Sequence, residues 1–158
     1  KDKVVIFHGI NQNNYYKKGN DIFEAALAFV AKTHSEMIEV ITVRSVPYET
    51  YIKLFDDCHI LLDQVYAYDQ GFNALEAMAK GKVVFTGAEQ EFLDYYHLKE
   101  DEVAINALPD ARSIANKLIG LIENPEKISE IATNARAFVE KEHDHILASQ
   151  RYFEKWTS

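Results

Sequence analysis

The chain has one cysteine, Cys58, in 158 residues. A single thiol excludes an internal disulfide framework and suits a reducing compartment. Set in "DDCHILL", Cys58 reads as a buried structural thiol. No apolar run approaches the roughly 20 residues that a membrane-spanning helix needs, and no signal-peptide pattern is present. Positive charge is also short. Seventeen Lys and Arg against 25 Asp and Glu give a net charge of −8, which argues against unaided binding to nucleic acid or to an anionic membrane surface. Internal repeats, low-complexity segments and linkers are missing as well. The chain opens "KDKVVIF", without a methionine and directly in a strand-like run, so a piece cut from a longer protein at a domain boundary is expected.

What is present suits one globular domain spanning residues 1–158. The chain is 47% hydrophobic and 27% charged, ordinary values for a protein that buries a single substantial core. Val4 to Phe7 forms a continuous, mostly β-branched apolar run, as expected of a strand covered on both faces. "IEVITV", "HILLD" and "KVVFTG" repeat that pattern, and "EVAIN" is a short fifth candidate. Between them lie helical stretches. Ile22, Ala26, Phe29 and Val30 fall on one stripe, Pro47 suits the first position of a helix, and Gly81 suits a helix stop. Further on, Asp110 is placed to cap a helix lined by Ile114, Leu118, Leu121 and Ile122. Asn124-Pro125 starts another, with Ile128, Ile131, Ala132, Ala135, Phe138 and Val139 as its stripe. The last stretch, "DHILASQRYFEKWTS", is amphipathic.

Strands alternating with helices predict an α/β, Rossmann-like three-layer sandwich with a mostly parallel sheet and a helical C-terminal tail. Ligands in such sheets bind beyond the carboxyl ends of the strands, near a topological switch point. The informative loops are then 8–19, 44–47, 64–73 and 86–91. In "YDQGFNALE", Gly71 permits close approach of a ligand to the main chain. The helix beginning near Asn73 offers unpaired N–H groups to an anion, and Glu76 lies about one turn in. Phosphate at the helix start with a ribose diol on the carboxylate would describe a nucleotide diphosphate; a solvated Glu76 on a Gly-initiated helix is the plain alternative. In "YKKGNDIFEAAL", Lys17 and Lys18 precede another helix, where a lysine would neutralise a leaving phosphate or remain surface charge. His8 ends the first strand, either as a hydrogen-bonded loop histidine or as a ligand contact. His143 and His145 in "EHDH" read as solvated surface. There is no Asp-x-Asp pair, no Gly-x-Gly-x-x-Gly turn after the first strand, and no receiver-type acidic cluster.

"KGNDIFEAALAFV", "LLDQVYAYDQGFNALEAMAKGKVVFTG" and the helical tail together resemble the C-terminal, donor-binding domain of GT-B-type group-1 retaining glycosyltransferases. The likeness covers most of residues 4 to 140 and is sharpest at "LEAMAKGKVV". It implies a nucleotide-sugar-dependent glycosyltransferase domain, which binds a UDP- or GDP-sugar for transfer to a glycan or lipid-linked acceptor, as in polysaccharide biosynthesis. The acceptor would be met by an N-terminal domain, so the isolated domain should transfer little or nothing. By the same resemblance, Lys18 and Asp69 are the catalytic candidates. Donor contacts are implied for Gly9, Gln12, Lys18, Val46, Tyr68, Gly71, Phe72, Asn73 and Glu76, with Glu76 on the ribose and Lys18 on the diphosphate. No metal and no other cofactor is expected, nor nucleic acid, and the implied location is the cytoplasm or the periphery of the inner membrane face. The chain departs from the family in four places, one of them a turn before Gly71 that is shorter than usual. Tyr68 stands where a sugar-contacting glutamate is usual, Ile10 and Gln12 stand where a phosphate-binding arginine is usual, and the proline before Val83 is missing. For the arginine, either Lys17 or Arg44 compensates, or an absent domain supplies the charge, or catalysis is weak. The alternative reading is a non-catalytic Rossmann-like domain, derived from such an enzyme, that binds a partner protein. The aromatic tail around Tyr152, Phe153 and Trp156 would pack either on the absent domain or on this one.

Overall fold

The structure, a computed structural model, describes residues 3–10, 15, 16, 18–65, 72–88 and 90–157; of residues 48, 52, 55, 72, 73 and 143–157 only the backbone is described. Its sheet has five parallel strands in the order β2-β1-β3-β4-β5. These are β1 (Val4–Ile10), β2 (Ile38–Arg44), β3 (Ile60–Leu62), β4 (Val83–Thr86) and β5 (Ile105–Asn106). Helices α1 (Asn20–His34), α2 (Tyr48–Phe55), α3 (Phe72–Ala79), α4 (Gln90–Tyr96), α5 (Ala111–Glu123) and α6 (Pro125–Thr157) connect and cover them. The expected α/β sandwich is the observed one.

Strand composition follows strand position. The fully apolar runs Ile60–Leu62 and Val83–Phe85 are buried throughout and lie inside the sheet, because helices cover both faces there. β2 is an edge strand, and beyond Ile38 none of its residues is fully buried. Side chains alternate between two cores. One joins Val4, Ile6, Ile60, Leu62, Val83 and Phe85 to Phe23, Ala26 and Val30 of α1 and to Ile114, Leu118 and Leu121 of α5. The other joins Phe7, Leu61 and Val84 to Ala74, Ala77 and Met78 of α3 and to Phe92 and Leu93 of α4. The stripe of α6 is divided between them. Ile128 and Ile131 belong to the first core and Ala135, Phe138 and Val139 to the second, so α6 passes from one face of the sheet to the other.

The expected punctuation is visible in the backbone. Gly81 takes a left-handed φ of 77°, and the N–H groups of Gly81 and Lys82 bond back to Met78 and Ala77, the paired closure that glycine favours at a helix end. The Asp110 carboxylate accepts from the N–H groups of Arg112 and Ser113 at 3.0 and 3.3 Å. Asp110→Ala is therefore expected to lower stability by about 1 kcal/mol, measured by urea denaturation.

Three local expectations are corrected. Phe23 joins Ala26 and Val30 at the centre of the α1 stripe, while Ile22 and Phe29 lie at its margin. Pro47 is extended, with ψ 151°, and caps α2 from outside its first turn. Most of the stretch from 90 onward is a helix, α4, where a loop to residue 91 was expected; Phe92 and Tyr96 hold it through edge contacts with Phe138 at 5.8 and 5.0 Å. Cys58 is buried, and burial pushes its thiol up to about 11, which makes it inert.

Candidate functional site

The chain leaves β1 toward β2 on one side and reaches β3 on the other, so the strand order reverses between β1 and β3. The crevice beyond the carboxyl ends of these two strands is where a doubly wound sheet binds ligands. Both loops carrying the strongest sequence signals begin there. They are tied together by a backbone bond, with the Val65 N–H donating to the Lys18 carbonyl at 2.9 Å. Gly19 follows Lys18 in the left-handed conformation, φ 75°, and admits the chain to α1. Lys18 is half-buried at this turn. Glu76 is half-buried on α3, the helix that continues the β3 loop, with Ala74, Ala77 and Met78 beside it turned into the core. Val46, half-buried after β2, is held on the same rim by the Ser45 N–H donating to the Ile10 carbonyl at 2.7 Å.

Gly9 sits in the ladder opposite Val43. Its Cα face is covered by Tyr51 of α2, so closely that a β-carbon there would fall 2.1 Å from the Tyr51 ring. The need for glycine at this position is thus met by packing. Gln12, Tyr68, Asp69 and Gly71 lie outside the described residues, as does Lys17, and the side chains of Phe72 and Asn73 are likewise not described. Phe72 begins α3. Arg44 reaches Glu24 of α1 at 3.4 Å, and Glu24 also accepts from the Tyr15 hydroxyl. The arginine considered as a substitute phosphate ligand therefore has a carboxylate partner on the α1 side. Among the described residues, no three His, Cys, Asp or Glu side chains gather as a metal set, and no helix is long and apolar enough to cross a membrane.

Two buried polar groups stand beside these predicted site residues. Asp63, which the sequence reading did not single out, follows β3, buried, and accepts from the Thr86 hydroxyl of β4 at 2.9 Å. Burial pushes its carboxyl up, while Lys18 and the Thr86 bond pull it back. The signal was an acid closing a continuous apolar strand, "HILLD". His8, fully buried in β1, reaches Asn20 at the start of α1, 2.8 Å away. Desolvation lowers its pKa.

The architecture is a doubly wound parallel α/β domain with the Lys18 turn at its switch point. The chain belongs to the glycosyl transferase-like family, whose model matches residues 14–152. Solved structures agree in fold. The C-terminal domain of a glycosyl transferase group 1 family protein (LpcC) from Francisella tularensis matches 89% of this chain and 86% of its own at 20% identity, TM-score 0.66. Anabaena Alr3699/HepE, in complex with UDP-glucose, matches at 19% identity and TM-score 0.65 over 99% of this chain and 49% of its own; this chain spans about half of that protein. The catalytic domain of cholesterol-alpha-glucosyltransferase from Helicobacter pylori matches at 12% identity and TM-score 0.63, over 89% and 99%. No curated protein matches the sequence.

Proposed function

We propose that this domain binds the nucleotide-sugar donor, a UDP- or GDP-sugar, of a retaining glycosyltransferase that acts on a glycan or lipid-linked acceptor. The observation that carries this reading is the Lys18–Val65 backbone bond, which brings the lysine turn onto the β3 loop at the switch point. Family membership and the UDP-glucose named for HepE support it. Lys18 is the proposed diphosphate contact. It acts as a point charge with the open amides at the start of α3, so the departing charge is met without a metal. Glu76 is the proposed ribose ligand, and Val46 the proposed neighbour of the base. Gly9, Gln12, Tyr68, Gly71, Phe72 and Asn73 complete the proposed donor site, with Asp69 replacing the usual glutamate beside the transferred sugar. Acceptor binding is assigned to an N-terminal domain, and transfer to the assembled two-domain protein.

Calorimetric titration with UDP, GDP and ADP tests the reading. Binding of one of them at sub-millimolar concentration is expected, and failure of all three at millimolar levels would favour a partner-binding domain instead. Glu76→Ala is expected to weaken that binding by roughly 1–3 kcal/mol, the scale of a lost charge-assisted hydrogen bond; an unchanged affinity would remove Glu76 from the site.

A further inference from the structure

His8 is fully buried in the carboxyl half of β1, paired with Thr42 and Leu62 of its neighbours. Its ring stands edge-on to Phe23 at 5.6 Å. The orientation of Asn20 settles which ring nitrogen carries the proton. The Asn20 amide nitrogen donates to the Tyr15 carbonyl at 3.0 Å, so its oxygen faces His8 and accepts from Nε2, 2.8 Å away. A neutral ring then has a bare lone pair on Nδ1, and that atom is buried with no hydrogen-bond partner among the described residues. A packing histidine gains nothing from this arrangement, since an unmet acceptor in a core is costly. Asn20 directly follows the Lys18–Gly19 turn, so the ring is tied by its Asn20 bond to the segment that carries the proposed diphosphate contact.

We infer that His8 is a latent cation of the donor site, neutral in the free domain and protonated on Nδ1 when a nucleotide-sugar diphosphate binds at the Lys18 turn. The inference rests on the proposed donor site. The proton comes from solvent, no bond in the nucleotide sugar changes, and the domain gains one positive charge. That charge joins the Lys18 ammonium against the diphosphate. The groups acting on the ring pull in both directions. Burial holds it neutral and lowers its pKa; Glu24 of α1 favours the imidazolium and Arg44 of β2 opposes it. Glu24 and Arg44 pair with each other at 3.4 Å. An arriving diphosphate adds negative charge that favours the imidazolium further.

UDP-glucose, GDP-mannose and ADP-glucose are suitable probes, because a diphosphate diester keeps a fixed charge near neutral pH and any proton taken up belongs to the protein. Titration calorimetry in buffers of different ionisation enthalpy is expected to show uptake of close to one proton per nucleotide sugar. Affinity should fall by up to about tenfold per pH unit on the alkaline side. Nitrogen-15 histidine spectra of the wild-type domain should show His8 as the neutral Nε2–H form alone and as imidazolium in the complex. His8→Gln should abolish the uptake and flatten the pH dependence, while Asp63→Asn should keep both. Binding without uptake, a His8 signal that stays neutral, or uptake lost in Asp63→Asn instead would overturn the inference and leave the donor site standing. Failure of all three nucleotide sugars to bind the wild type would overturn both. The wild-type measurements decide the matter even where His8→Gln does not fold.

Discussion

Asp63→Asn is expected to stabilise the domain at alkaline pH, an unusual direction for a substitution at a buried position. The Asp63 carboxyl is buried, and its pKa is raised by desolvation despite the attraction of Lys18 and the bond from Thr86. A carboxyl whose folded pKa lies above its unfolded value penalises the folded state when ionised. The penalty is fully present above the folded pKa, shrinks as pH falls through it, and is gone below the unfolded value near 4. Asparagine keeps the shape and an oxygen for the Thr86 hydroxyl but carries no charge to desolvate. The stability advantage of the variant should therefore be largest at alkaline pH and decline toward pH 4. Urea denaturation of both proteins across that range measures it. An asparagine variant less stable than wild type at pH 8 would mean that Lys18 compensates the buried charge in full.

The sheet was legible because its strands obey a local rule. Runs such as "VVIF", "ILL" and "VVF" have no polar side, and only a strand covered twice tolerates that. Asp110, Gly81 and Asn124-Pro125 were legible for a similar reason, since caps and breakers act within a few residues of themselves. Helix α4 was not. Its Phe92 and Tyr96 contact Phe138 of α6, far along the chain, and "EFLDYYHL" is too short to show a helical period. The site divides the same way. Glu76 and Lys18 stand in local motifs, whereas the partners of His8 and Asp63 depend on chain crossings. The Thr86 hydroxyl reaches Asp63 only because β4 pairs with β3 as Leu62 opposite Phe85. His8 meets Asn20 only because α1 packs back over β1. Periodicity carries no information about either pairing.

Gly9→Val is expected to cost about 3 kcal/mol or more, at the upper end of what overpacking does. The first added carbon would lie 2.1 Å from Cε2 of Tyr51 and 2.9 Å from its hydroxyl oxygen. The ring has little room to yield, because it stands edge-on to Phe7 at 5.2 Å, with planes 81° apart, and Phe7 is itself fully buried. Tyr51 is also buried enough that desolvation pushes its hydroxyl pKa well up, with Asp63 adding to the effect. The clash is with a side chain, so it is reversible in a way that backbone strain is not. Tyr51→Ala opens a cavity of its own, yet in that background Gly9→Val should bring much less further loss, and the double variant should be more stable than the sum of the two singles predicts. Denaturation of the four proteins gives that coupling directly. Strict additivity would show that Gly9 is needed for something other than the Tyr51 ring, and close approach of a ligand to its Cα would then be the explanation to test.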